Sequence, residues 1–223
     1  MQSTPENHQP GCRWLRRKEA RPGEIMDAAL AVFIEKGYAG TKMEDIARQA
    51  GVTKGTPYLY FQNKEELFRE IIKSAIQPRL DEVQSYIDAS ADHSLQQQLQ
   101  NIADHWRQTV LETPRSGILK LMMAEAGNFP DVAAYYDTHV IQRFHQQLIH
   151  LLETGMARDE IRRLDPVYAA HIIIAPMLYS VMHKHCFAQQ NQQTRLDSQL
   201  LFQQALDILF NGLRATDIQT HHG

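Results

Sequence analysis

Cysteine is almost absent from this chain of 223 residues: Cys12 and Cys186 are the two, far apart in sequence. That excludes a disulfide framework and fits a reducing compartment, with both side chains read as plain thiols. No uninterrupted apolar run approaches the roughly 20 residues needed to cross a bilayer. No charged segment leads into an apolar one at the N-terminus, so no secretory signal is expected; the chain is read as cytoplasmic, with no membrane partner. Strand patterns, internal repeats and long heptads are missing as well. So are a nucleophile elbow, a phosphate-binding glycine loop and an ordered set of metal ligands, which leaves no catalytic residue, metal or cofactor to assign. His183, His185 and Cys186 are of ligand type, yet positions two apart on a helix diverge by about 200° and cannot close on one ion.

What is present is helix. Ile25, Ala28, Ala29, Val32 and Phe33 repeat at helical spacing and predict a first helix from about Pro22 to Lys36, stopped by Gly37. Thr41 and Glu44 have the spacing of a capping box for a second helix, whose apolar face is Ile46, Ala47 and Ala50 and whose stop is Gly51. Thr53 is placed to cap a third short helix through Tyr58, in which Pro57 removes one early hydrogen bond. Asn63 and Glu66 form a further box. Two helices around a glycine turn make the unit that lays its second helix in the DNA major groove.

Charge supports a DNA-reading front end. The overall balance is −3, but residues 1–64 hold 10 Lys and Arg against 7 Asp and Glu, while the rest hold 13 against 19. Residues 1–12 are polar and proline-bearing and are expected to be disordered. Arg13, Arg16, Arg17, Lys18 and Arg21 follow, either as a solvated tail or as an arm touching phosphates or a minor groove.

From Lys64 onward every segment reads as helix. One long pattern runs to about Ala89, kinked or ended locally at Pro78. Further helices are predicted over Ser94–Glu112, from Thr113-Pro114 to Gly127, from Pro130 to about Ala157, from Asp165-Pro166 to about Ala188, and over Leu196–Leu213. The last carries two apolar stripes. Phe202, Leu206, Leu209 and Leu213 can face the chain's own core. Leu201, Ala205, Ile208 and Gly212 then need another partner, the same helix of a second copy, unless the helix is simply sunk deeper into its own core. The fold class is therefore all-α: a flexible basic arm over 1–21, a three-helix helix-turn-helix head over 22–68, and a larger helical body carrying the dimerisation stripe over 69–223.

The stretch Ala28 to Phe68, AALAVFIEKGYAGTKMEDIARQAGVTKGTPYLYFQNKEELF, resembles the TetR family of bacterial transcriptional regulators. It matches in its glycine-stopped helix, the Ala50-Gly51-Val52 turn, the Gly-Thr-x-Tyr-x-Tyr-Phe run and the Asn-Lys-Glu that follows. The resemblance implies a homodimeric repressor of near-palindromic double-stranded DNA, nucleoid-associated when bound and released by a small ligand. It implies that Thr53, Lys54, Gly55 and Thr56 meet base edges and nearby phosphates, that Tyr58 and Tyr60 reach the DNA backbone, and that Thr41 and Lys42 fit phosphates. Lys54 can donate to guanine or bind a phosphate, and Gly55 lets the backbone approach closely. Lys64 has a separate argument: a cation in the first turn of a helix opposes the helix dipole, and a phosphate drawn to both reverses that sign.

Candidates for an effector pocket are the large adaptable side chains Trp106, Met122, Met123, Phe129, Tyr135, Tyr136 and Phe144, which suit an apolar or aromatic ligand or else form ordinary core. The alternatives to a ligand-released repressor are a DNA-binding protein of the same fold without a small-molecule effector, partner-controlled or chromosome-organising, and an enzyme using the helical body, for which no convergent catalytic groups are found.

Overall fold

A computed structural model of the chain describes residues 11–187 and 196–213, with side chains from 21 to 211. Among these residues the chain is helical without a strand. It divides into two compact units, residues 1–71 and 72–223.

The first unit contains α1 (Gly11–Gly40), α2 (Met43–Gln49), a single 3-10 turn at Pro57–Leu59 and the start of α3 (Lys64–Ala89). Gly37 breaks α1 as expected, with φ 76° and ψ 161°, backbone that a residue with a Cβ rarely adopts. The N-terminal end corrects the expectation of a flexible arm up to residue 21. The backbone is helical from Gly11 and continues through Pro22, on a run rich in the good helix formers Arg, Lys, Glu and Ala. The side chains of Arg13, Arg16, Arg17 and Lys18 lie outside the described ones, as does the expected disorder of residues 1–10. Phe33, Tyr38 and Phe68 pack ring against ring, with centroids 5.2–5.3 Å apart, at the centre of this unit. Ile25, Ala29, Ile46 and Leu67 are fully buried with them.

The second unit holds the rest of α3, then α4 (Leu95–Trp106), α5 (Ser116–Glu125), α6 (Pro130–Tyr136), α7 (Gln142–Ala157), α8 (Pro166–Met182) and α9 (Ser198–Leu213). The helices expected from Ser94 and Asp165-Pro166 begin there, each with a side-chain cap. Ser94 Oγ accepts from Gln97 N–H at 3.3 Å, and Asp165 accepts from Val167 N–H at 2.9 Å. The helix after Thr113-Pro114 starts later than expected, at Ser116, and so does the last, expected from Leu196, at Ser198. One core joins α3, α4, α7, α8 and α9 through Val83, Leu99, Leu152, Ala170 and Leu206. A second joins Val110, Leu119, Met177, Val181 and Phe202. Gln147, buried on α7, donates its amide to the Leu80 carbonyl of α3 at 2.9 Å.

Two features depart from the sequence reading. Helical backbone runs through Pro78 without a break. And three helices change pitch, with π-helical segments at Arg107–Leu111, Asp137–Ile141 and His183–Phe187. Each π turn takes in one extra residue and rotates the stripe beyond it, so a plain 3.6-residue count drifts off register there.

Candidate nucleic-acid interface and effector cavity

The helix-turn-helix closes through a glycine-centred turn. After α2, Gly51 takes φ 65°, its N–H bonds to the Arg48 carbonyl at 3.2 Å, and Val52 N–H bonds to Ala47 at 3.0 Å. This double closure ends a helix with a left-handed residue and turns the chain sharply. The capping of α2, however, is shifted by one residue from the expected Thr41–Glu44 box. The Asp45 carboxylate accepts the Lys42 N–H at 3.3 Å. It is also paired with Lys36, 3.1 Å away, and with Arg48, and the Lys36 and Lys42 contacts hold its carboxyl below the usual range.

Beyond Gly51 the expected capped helix through Tyr58 is replaced by two tight turns. Thr56 N–H bonds to the Thr53 carbonyl at 2.9 Å, the two threonine hydroxyls lie 2.8 Å apart, and Pro57 opens the 3-10 turn to Leu59. Pro57 has no N–H to give Thr53, so an α-helical first turn cannot form there. Its buried ring and Phe61 anchor the segment, while Thr53, Lys54, Gly55 and Tyr58 face solvent and Thr56 and Tyr60 are half-buried. Lys42 is exposed at the start of α2. Lys54 pairs with Glu44 of α2, whose carboxylate raises the lysine pKa above its ordinary value. Leu59, which sequence reasoning passed over, is 79% exposed beside Tyr58. An apolar tip between two tyrosines was the available signal.

Two expected phosphate contacts are corrected. Thr41 is buried, and its hydroxyl donates to the Gly37 carbonyl at 2.7 Å, holding the left-handed break at the end of α1. Lys64 donates to the Tyr38 carbonyl at 2.6 Å and the Thr41 carbonyl at 3.0 Å, and its ammonium lies 4.4 Å from the centre of the Tyr38 ring. The charge that opposes the α3 dipole is thus taken up by carbonyls of the α1–α2 corner. Burial, helped by the negative charge of Glu65, pushes the Tyr38 phenol up to about 12. Asn63 caps α3 as expected, accepting from Glu66 N–H at 2.8 Å, while the Glu66 carboxylate takes the Gln62 N–H at 2.5 Å.

The second unit contains an apolar cavity of about 440 Å³. Trp106, Met122, Met123, Tyr136 and Phe144 of the expected effector set line it. Phe129 and Tyr135 do not. Tyr135 neighbours Tyr136 on one helix and so points about 100° away; it stacks instead on His139, centroids 4.2 Å apart. Sequence reasoning missed the α3 wall of Ile76, Arg79, Leu80 and Val83, and also His105. Two of the three π segments contribute as well, through Thr109 and Val110 and through Asp137, Val140 and Ile141. On this wall Arg79 Nη2 lies 2.7 Å from Glu82 Oε1 and Asp137 accepts the Gln142 amide at 2.7 Å, while the buried Nε2 of His145 has no partner among the described residues. His105 Nε2 lies 2.8 Å from Glu82 Oε2, close enough for an ion pair but without hydrogen-bond alignment.

Two helices of this unit leave apolar sides uncovered. On α9, Phe202, Leu206 and Phe210 are buried, Leu201 and Ala205 are half-buried and Ile208 is 68% exposed; Gly212 and Leu213 lie outside the described side chains. On α8, Tyr168, Ile172 and Tyr179 form an exposed stripe at i, i+4 and i+11 that sequence reasoning did not single out. The stretch Pro166–Phe187 is long and apolar enough to cross a membrane by length and composition, with 28% of it buried. A helix apolar all round announces no preferred face.

A helix-turn-helix head with an exposed reading turn, carried on a helical body with an apolar cavity, defines a DNA-binding regulator of the helix-turn-helix class. The chain belongs to the TetR family of bacterial regulatory proteins. The family model described as bacterial regulatory proteins, tetR family, matches residues 25–71. The model described as AefR-like transcriptional repressor, C-terminal domain, matches residues 97–211, a little over half of the chain. An uncharacterized HTH-type transcriptional regulator, YfiR of Bacillus subtilis, is 42% identical over 76 residues, 34% of this chain and 35% of that protein. The fatty acid metabolism regulator protein of the same organism is 35% identical over 77 residues, 34% of this chain and 40% of that one. The chain thus spans well under half the length of these relatives. The same fold is seen in the fatty acid degradation regulator FadR from Bacillus halodurans, with TM-score 0.71, 23% identity, and coverage of 86% of this chain and 99% of that one. It is seen again in NalD of Pseudomonas aeruginosa, a repressor of a multidrug efflux pump, with TM-score 0.71, 22% identity, and coverage of 90% and 98%.

Proposed function

We propose that this protein is a homodimeric, cytoplasmic repressor that reads a near-palindromic operator and is released from it by a small molecule bound in the cavity of its second unit. The observation that carries the reading is the pairing, in one chain, of an exposed reading turn with an apolar cavity of about 440 Å³, within the range of small-molecule sites. Thr53, Lys54, Gly55, Thr56, Tyr58 and Tyr60 remain the DNA-contacting set, with Lys42 on a phosphate. Leu59 joins them as an apolar contact suited to a thymine methyl group. Thr41 and Lys64 serve instead to hold the corner that carries the turn.

Dimerisation through α8 and α9 is supported by the uncovered residues Tyr168, Ile172, Tyr179 and Ile208. A second copy suits this surface better than a bilayer, since the same stretch carries His171, His183, Lys184 and His185. The cavity wall includes Ile76, Leu80 and Val83 of α3, and α3 begins at Lys64, which grips the α1–α2 corner. Ligand and operator would then compete through α3, and the coupling must be reciprocal.

The test is selection of bound sequences from a random duplex pool by the purified protein, at two salt concentrations. One near-palindromic site with half-site centres about 34–36 Å apart is the expected result. Salt-sensitive binding without a recovered motif would mean phosphate attraction alone, and would overturn the sequence-reading dimer.

A further inference from the structure

His145, early in α7, is part of the cavity wall, and two contacts fix its ring. Nδ1 lies 2.9 Å from the carbonyl of Ile141, the last residue of a π-helical segment. A carbonyl can only accept, so Nδ1 carries the hydrogen of that bond. The ring of His171 on α8 packs against it, centroids 4.3 Å apart and planes 47° apart, and is itself tied through Nδ1 to the Val167 carbonyl at 2.8 Å. With the ring so held, the Nε2 of His145 is buried and has no hydrogen-bond partner among the described residues. Buried polar atoms ordinarily have one. An unmatched ring nitrogen in an otherwise apolar wall is therefore a place for a ligand's polar group.

The other polar groups of the wall are less open to a ligand. Arg79 Nε and His105 Nε2 also lack an aligned bond, yet both side chains lie against the Glu82 carboxylate, with Arg79 Nη2 at 2.7 Å and His105 Nε2 at 2.8 Å. Asp137 takes the Gln142 amide, and Thr109 gives its hydroxyl to the His105 carbonyl at 2.7 Å. Burial keeps the Tyr136 phenol neutral.

The chemistry of the His145 ring selects its partner. With hydrogen on Nδ1, the neutral ring offers a lone pair at Nε2 and needs a donor; the protonated ring offers an N–H and needs an acceptor. A hydroxyl serves in both states, because it can give or receive. An ether or ketone oxygen serves only the second. So does a carboxylate, which would also have to enter beside Asp137 and Glu82 and give up its hydration.

Resting on the reading of this cavity as the effector site, we infer that His145 Nε2 is its polar anchor and that the effector is a largely apolar alcohol or phenol whose hydroxyl donates to that nitrogen.

The full-length protein is loaded with diphenylhexatriene, a hydrocarbon that fluoresces when held in an apolar site. The bound probe is displaced by 1-decanol, by its isomer 1-methoxynonane, whose oxygen carries no hydrogen, or by decanoate. Decanol is expected to act at a concentration roughly three- to tenfold below that of the ether, the value of one buried hydrogen bond, and below that of decanoate as well. His145→Phe is expected to bring alcohol and ether level while leaving the ether and the probe as they were. The alcohol–ether comparison needs no variant, so it stands even if His145→Phe misfolds. Wild-type protein that takes the two isomers equally would overturn the proposal. So would a preference for decanoate, since the ring would then be a donor to an anion. A folded His145→Phe protein that still preferred the alcohol would overturn His145 as the anchor. Operator binding, followed on the same samples, separates this contact from the reading beneath it. If decanoate or the ether released operator and decanol held no advantage, the hydroxyl would fall and the ligand-released repressor would stand. If neither the probe nor any of the three compounds bound, both would fall together.

Discussion

In the first unit, side-chain hydrogen bonds fix the backbone around one exposed turn; in the second, which carries such bonds too, packed apolar side chains leave a cavity. Thr41 holds the Gly37 carbonyl, Lys64 holds those of Tyr38 and Thr41, Asp45 takes the Lys42 N–H, and Asn63 takes that of Glu66. Each of these fixes a particular stretch of main chain around the reading turn. The second unit is held by apolar packing among α3, α4, α7, α8 and α9 and keeps a cavity of about 440 Å³ in the middle of its helices. On the proposed function, the difference follows from what each part has to present. Hydrogen bonds to base edges tolerate little positional error, so the backbone beneath them is locked by directional bonds. A site for an apolar ligand needs room and adaptable walls, and non-directional packing with methionine and aromatic side chains supplies both.

The contrast can be broken most severely by a matched pair of methionines. Met43 of α2 and Met122 of α5 are both buried, at 6% and 8% exposure, but Met43 lies in a closed core and Met122 on the cavity wall. Met43→Ala is expected to cost about 3 kcal/mol, and Met122→Ala about 2 kcal/mol or less, the low end for methionine, because the side facing the cavity has few contacts to lose. Urea denaturation at unchanged m-value measures both. Equal losses would mean that the α5 wall is packed as tightly as the head.

Lys64 sharpens the comparison from the other side. Lys64→Met keeps the apolar stem and removes the ammonium, leaving two carbonyls of the α1–α2 corner without their donor. The expected loss is about 2 kcal/mol, in the range for hydrogen bonds to a charged group. A surface lysine held in reserve for phosphate would change stability by no more than about 0.5 kcal/mol. Thermal melting of the DNA-free protein decides between them, since no phosphate is present to confuse the two roles.

That same lysine shows where sequence reasoning reached its limit. The all-α class, the glycine stops at Gly37 and Gly51, and the caps at Asn63 and Asp165 were legible because each is set by neighbours within a few residues. Lys64 and Thr41 look like surface groups in sequence, and only the return of the chain, 23 residues apart, places one against the other's carbonyl. Pro57 was weighed as the loss of a single bond, yet in a segment this short that bond is the helix. In the body, five of the seven residues proposed for an effector pocket line the cavity, because large adaptable side chains gather where space remains. The α3 wall was hidden because Ile76, Leu80 and Val83 read equally well as core. The π segments shifted register where a regular helix was assumed, and the all-round apolar α8 concealed its uncovered side.

Two glycines give the finest separation of reading surface from packing. A Cβ built at Gly55 meets nothing within 4 Å, and the residue has no left-handed backbone to strain, so Gly55→Ala leaves stability unchanged within about 0.5 kcal/mol. If the main chain there lies close to DNA, the added methyl group pushes the turn away, and operator affinity falls by about tenfold, or ~1.4 kcal/mol. At Gly155 on α7 the same atom would sit 2.5 Å from Cδ2 and 3.4 Å from Cβ of Leu95, itself 1% exposed. Gly155→Ala therefore destabilises by about 1–3 kcal/mol through overpacking, while the folded protein binds operator as before. Melting curves and operator titrations on the two variants should give opposite patterns. If Gly55→Ala bound DNA at full strength, the Lys54–Thr56 turn would not approach the duplex closely, and the reading surface would have to centre on Tyr58 and Leu59 instead.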